Sequence, residues 1–244
     1  MNGYSFIEKT LKRNYADTQL RPFAYMFSGW GSGLGETLKK PRTKRRTAPR
    51  EERRVQLIKA TIRSIAKNGL SVTTIATVAG EAGLSQGIIN LHFQSKERLL
   101  EETLGHIVHE YRTVWYKAME NGGESAAAKL AALAAVDFDR RICQRNKLAV
   151  WFAFWGESRS RLTYRKMCAE STREYKQCLT GLCEEIIQQG GYKANAQHVA
   201  TGLLALNGGL WLDMLISPAD MPAHQAREIS QSYLRGVFPR HFTE

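Results

Sequence analysis

Gln86 and Asn90, two amide side chains four residues apart, are the residues in this sequence best suited to reading a base edge. Each offers a donor beside an acceptor, which matches the N6 and N7 edge that adenine presents in the major groove. A spacing of four puts both on one face of a helix. Gly87 between them lets a helix backbone come close to a partner, and Ser85 and Leu91 share that stretch. Thr74, His92 and Lys96 flank it with hydroxyl, imidazole and ammonium donors suited to phosphate oxygens. A phosphate contact through His92 would depend on pH.

A second group points to a different chemistry. Trp151 and Trp155 are one helical turn apart and Glu157 follows them. Tyr111 and Trp115 repeat the spacing, and Trp211 stands near Asp213. Aromatic faces beside a carboxylate can hold a quaternary ammonium by cation–π attraction. Tryptophans at helical spacing more often simply pack a core, and spacing alone does not decide which of these face a pocket. No set points to catalysis. His106, His109 and Glu102 share a helix face but lack the order of a zinc-protease motif. Cys143, Cys168, Cys178 and Cys183 form no CxxC pair. Neither an enzyme nor a metal or cofactor site is expected.

Helices must position these groups. Glu51 and Glu52 suit the positive end of a helix dipole, and Val55, Ile58, Ile62 and Ile65 recur at helical spacing until Asn68-Gly69, which predicts a helix over 50–68. Short helices follow over 74–82 and 86–92, parted by Gly83-Leu84, with Ser85 placed to cap the second. Ile75, Val78 and Ala79 face inward from the first, Ile88 and Ile89 from the second. This is the layout of a helix-turn-helix, spanning Thr74 to Phe93, whose second helix enters a major groove. Ser95 caps a long helix ending near Asn121. Further helices are predicted over 125–143, 146–157, 161–189, 194–216 and 223–236. No strand alternation is found, so the expected fold is all-α.

Composition agrees with a DNA partner. The chain has 244 residues, 43% hydrophobic and 24% charged, which excludes global disorder and leaves room for a large core. The net charge of +12 is uneven: residues 1–54 carry 13 Lys and Arg against 5 Asp and Glu, a net of +8. Residues 39–50 read KKPRTKRRTAPR, in which Lys44, Arg45, Arg46 and Arg50 could lie along a phosphate backbone. Residues 1–48 are expected to be a basic, disordered extension. The glycine run at 29–35 fits no phosphate-binding pattern. The apolar stretch 203–216, broken by Asn207 and Asp213, is shorter than the ~20 residues of a membrane span, so no membrane role is expected. Cysteines without a pairing pattern suggest reduced thiols in a cytoplasmic protein.

Val78-Ala79, Ala82-Gly83-Leu84-Ser85, Gly87, Phe93 and Ser95-Lys96-Glu97 with Leu99-Leu100 together resemble the TetR family of bacterial repressors. Within it, the stretch from Ser85 to Lys96 and the aromatic stretch from Leu148 to Ser158 are similar to the BetI-type, choline-responsive subgroup. His92 departs from the tyrosine common there. The resemblance implies a helix-turn-helix domain over 49–94 and a ligand-sensing and dimerisation domain over 95–244. It further implies a homodimer on double-stranded operator DNA, released by a choline-like effector, that controls choline uptake and glycine betaine synthesis. Two alternatives stay open at this level. One is the same kind of regulator answering a lipophilic cation, fatty acid or other apolar ligand. The other is a basic membrane-surface or scaffolding protein.

Overall fold

The computed structural model describes residues 50–243. Lys44, Arg45 and Arg46, with the rest of the expected extension, lie outside the described residues. Among the described residues there are nine α-helices and no strand, the all-α architecture expected.

Helices α1 (Arg50–Asn68), α2 (Ile75–Ala82) and α3 (Gln86–Phe93) form a small head. Leu57, Ile58, Ile65, Val78, Ile89 and Phe93 fill its core, each nearly or fully removed from solvent. Burying a side chain of this size contributes about 1.5–3 kcal/mol. Thr74 caps α2 reciprocally: its Oγ1 accepts from Thr77 N–H at 3.2 Å, and Thr77 Oγ1 accepts from Thr74 N–H at 2.9 Å. α2 stops at Gly83, whose φ of 64° is left-handed, and Leu84 N–H reaches back to the Ala79 carbonyl at 3.0 Å. A glycine suits that turn because a side chain there would strain it. Ser85 takes the position before α3, but its side chain makes no cap bond, contrary to the capping expected of it. A hydroxyl at this exposed position competes with water for that bond.

α3 ends abruptly. Gln94 has φ 64° and ψ −38°, and Ser95 N–H closes on the Phe93 carbonyl at 2.7 Å. This is a γ-turn of the strained, positive-φ kind. Ser95 Oγ then accepts from Arg98 N–H at 3.1 Å and starts α4 (Lys96–Asn121).

The remaining helices are α5 (Ala126–Val136), α6 (Arg145–Glu157), α7 (Leu162–Gly190), α8 (Ala196–Ile216) and α9 (Ala223–Val237). α4 packs on α5 and α7, α7 on α8, and α8 on α9. α6 lies against α7 and α8 on one side and against α1 on the other, while α4 also touches α1. The head is therefore gripped by two helices that reach into the larger bundle.

Two expectations need correction. The helix predicted over 125–143 ends at Val136. Beyond it the Asp137 carbonyl accepts from Trp211 Nε1 at 2.7 Å, and Arg141 N–H turns to Asp139 Oδ1 at 2.8 Å. Both groups would have bonded each other in a continuing helix. In addition, α8 is 21 residues long and apolar enough by length and composition to cross a membrane, not too short as 203–216 suggested. Val199, Leu203, Leu210, Trp211 and Met214 of α8 are instead buried inside the bundle.

Candidate DNA-reading head and ligand cavity

The sequence of α3 divides it into two faces. Ile89 and Phe93 are buried, while Ser85, Gln86, Gly87, Asn90 and Leu91 are exposed, Leu91 at 75%. A side chain added at Gly87 would meet only Ser85 Oγ, 3.9 Å away, so nothing within the protein demands a glycine there. Close approach by an outside partner would. Thr74 is exposed beside this face, and Lys96 opens α4 half-buried.

His92 sits at the edge of the face, half-buried. Its carbonyl accepts from Arg54 Nη1 at 2.6 Å. Its ring Nδ1 is buried without a hydrogen-bond partner. Burial first, then the charges of Arg50, Arg54 and Arg53, hold the imidazole below its usual pKa. Arg54 stacks over the Phe93 ring at 4.6 Å and pairs with Glu102. That guanidinium fastens α1 to the end of α3 and to α4, so it is occupied internally. Arg50 is exposed at the start of α1.

The bundle holds a partly open cavity of about 120 Å³. Trp151 and Trp155 of α6, Trp211 of α8, and Tyr111 and Tyr175 line its aromatic side. The Trp155 and Trp211 rings are near parallel with centroids 6.2 Å apart, and Trp151 lies 5.9 Å from Trp155 and 6.4 Å from Trp211. Tyr111 meets Trp151 and Trp211 edge-on at 6.1 and 6.0 Å. Ser171, Thr172, Cys168 and Asn207 supply polar lining.

Asp137 also lines this cavity and is 3% exposed. Its Oδ1 accepts from the Tyr111 hydroxyl at 2.6 Å and its Oδ2 from Asn207 Nδ2 at 2.7 Å. Burial raises its pKa to about 6, against the pull of those two hydrogen bonds. The residues lining the cavity include no lysine, arginine or histidine. A buried carboxylate without a cation is expensive unless a partner arrives. Burial likewise holds the Tyr111 and Tyr175 phenols well above their usual range, so both stay neutral donors.

Residues 57–103 match the sequence model of the tetR family of bacterial regulatory proteins, and residues 126–239 that of the C-terminal region of BetI-type transcriptional repressors. The HTH-type transcriptional regulator BetI of Burkholderia mallei (strain NCTC 10229) is 33% identical over 185 residues, covering 76% of this chain and 93% of that protein. The chain belongs to the TetR family, in its BetI-type branch. It is thus a DNA-binding transcriptional regulator and not an enzyme. Solved structures agree in fold. A chain named as a transcriptional regulator of Pseudomonas aeruginosa PAO1 superposes with a TM-score of 0.69 at 27% identity, covering 79% of this chain and 95% of that one. Another, from Saccharomonospora viridis and in complex with choline, gives 0.68 at 23% identity, covering 76% and 96%.

Of the aromatic and acidic residues singled out in the sequence, this BetI-type chain brings Tyr111, Trp151, Trp155 and Trp211 to one cavity. Trp115 lies elsewhere: it is 1% exposed and stacks on Tyr116 at 4.0 Å in the core. Glu157 faces a separate polar cleft with Arg161, Lys96 and Glu97. Asp213 is exposed and does not line the cavity. The carboxylate there is Asp137, which the sequence reading missed. Its signal was an acid closing the apolar run Leu130 to Val136. Tyr175 and Asn207 were missed as well, the latter noticed only as an interruption of an apolar stretch.

Proposed function

We propose that this chain is a dimeric repressor that reads its operator with the exposed face of α3 and is released by a choline-like quaternary ammonium held in the aromatic cavity. Gln86 and Asn90 read bases, Ser85, Gly87 and Leu91 make close groove contact, and Thr74, His92 and Lys96 hold phosphates. Lys44, Arg45, Arg46 and Arg50 add backbone contacts. The regulated genes serve choline uptake and glycine betaine synthesis, and the protein works in the cytoplasm, where the operator lies.

The single observation that carries the ligand reading is Asp137, a buried carboxylate with no cationic partner in a cavity walled by indoles and phenols. A trimethylammonium group donates no strong hydrogen bond, so aromatic faces and a nearby negative charge are what can hold it. Size agrees. A cavity of roughly 150 Å³ accepts benzene, so about 120 Å³ suits a molecule of similar size. A fatty acyl chain is far larger, which weighs against the apolar-ligand alternative. The choline complex of the Saccharomonospora viridis protein supports the same direction.

Release follows from connectivity. Tyr111 stands on α4, which begins two residues beyond α3, and Trp151 and Trp155 stand on α6, which packs on α1. A ligand that moves either helix moves the head. Paired recognition helices must stay about 34–36 Å apart to enter successive grooves. Leu212 and Ile216 of α8, 40% and 68% exposed, suit burial against a second copy. The test is fluorescence anisotropy of a duplex from the gene's own upstream region. Choline should lower the protein's affinity for it, and undiminished binding at saturating choline would set the ligand reading aside.

A further inference from the structure

Asn207 lines the cavity and carries an unmet hydrogen-bonding group. The residue is 3% exposed, its Nδ2 donates to Asp137 Oδ2 at 2.7 Å, and its Oδ1 has no hydrogen-bond partner. Asp137 fixes which end of the amide is which. An ionised carboxylate only accepts, so the amide nitrogen must face it and the oxygen must face away. Both Asp137 oxygens already receive donors, one from Tyr111 and one from Asn207. Each carboxylate oxygen thus already has a donor, whereas the Asn207 oxygen beside it has none, so it is the acceptor with the most to gain from a new one. A buried amide oxygen without a donor is costly, and folded proteins seldom keep one unless something fills it.

We propose that Asn207 is a specificity-determining residue whose Oδ1 accepts a hydrogen bond from a hydroxyl on the effector. The site then takes a compact cation that also carries a donor, in preference to a bare alkylammonium of the same shape. This rests on the reading of the cavity as a cation site and goes further, because aromatic faces and a carboxylate alone would hold either molecule. The position on α8 suits the task. Trp211, one turn further along the same helix, lines the cavity and ties α8 to the Asp137 carbonyl. The asparagine is thereby anchored at both its own nitrogen and its helix, which leaves its oxygen preorganised.

The test compares two probes by calorimetry on the full chain: choline, and propyltrimethylammonium, in which a methyl group replaces the hydroxyl. Wild type should bind choline about tenfold more tightly, the usual effect of leaving one buried polar group unpaired. Asn207→Leu should bind both cations with equal affinity. Equal affinities in the wild type overturn the proposal without any variant, while leaving the cation cavity in place. A preference for choline that persists in Asn207→Leu also overturns it, and moves the hydroxyl contact to Asp137, Ser171 or Thr172. If neither cation binds the wild type, the cavity reading itself fails and this proposal fails with it. Thermal unfolding checks that Asn207→Leu is folded, and Asn207→Ala replaces it if it is not.

Discussion

The Tyr111 hydroxyl donates to Asp137 Oδ1 at 2.6 Å, joining the long helix that follows the DNA-reading head to the one carboxylate in the aromatic cavity. The bond lies among buried groups, and Asp137 there has a pKa near 6. A carboxyl whose folded value exceeds its unfolded value favours folding only while protonated. Stability from this group is present below the unfolded value and is lost as pH rises through about 6.

The first prediction follows from that sign. Asp137→Asn stays neutral at every pH and escapes the penalty. The stability of the variant minus that of wild type should grow by about 2 kcal/mol between about pH 4 and pH 7. Urea unfolding at a series of pH values measures it, and a flat difference would show that Asp137 is not the buried acid described.

On the proposed function, choline needs the charged carboxylate. Its affinity for wild type should therefore fall about tenfold per pH unit below 6, the range where Asp137 takes up its proton. Calorimetric titration between pH 5 and 8 reads this directly, and an affinity constant across that range would rule out Asp137 as the counter-charge.

Base reading is tested on the exposed side of α3. Replacing Gln86 or Asn90 by Ala should each cost about 1–3 kcal/mol of discrimination between the operator and an unrelated duplex. Gel shifts that find the discrimination unchanged would move the readers elsewhere on α3.

The turn at Gln94 gives a stability prediction. Its φ of 64° suits glycine, and the γ-turn it closes is strained for any other residue. Gln94→Gly should stabilise the fold by about 0.5–1 kcal/mol despite the added freedom of the unfolded chain. A lower melting temperature for the variant would mean that the glutamine side chain contributes more than its backbone costs.

Much of this arrangement was legible in the sequence. The helix-turn-helix was clear because local signals agree there: the apolar Ile75, Val78 and Ala79, a glycine at position 83 for the turn, and the apolar Ile88 and Ile89 against the polar Gln86 and Asn90, although the Thr74 cap went unnoticed. Four of the cavity aromatics were among those singled out, but spacing did not separate them from Trp115, which stands one turn from Tyr111 and packs in the core instead. The carboxylate was not. Asp137 meets Tyr111 across 26 residues and Asn207 across 70, and no local pattern reports a pairing of that range. Proximity in sequence favoured Glu157 and Asp213, yet helix geometry turns both away from the tryptophans they follow. The end of α5 at Val136 was hidden for the same reason, since a tryptophan 74 residues away takes the carbonyl that would have continued the helix.

On the proposed function, Asp137 and the indoles around it sense a positive charge, and its binding releases DNA. One measurement addresses it most directly: operator release followed by anisotropy as choline or its uncharged isostere 3,3-dimethylbutanol is added to wild type and to Asp137→Asn. Choline should release wild type, and the isostere should need at least about tenfold more, since it leaves the buried Asp137 carboxylate unpaired, at a cost above about 1 kcal/mol. In Asp137→Asn the advantage of choline should shrink to what the indoles alone supply, with operator affinity before addition unchanged. Equal release of wild type by both molecules would contradict the account and turn the cavity into an apolar-ligand site.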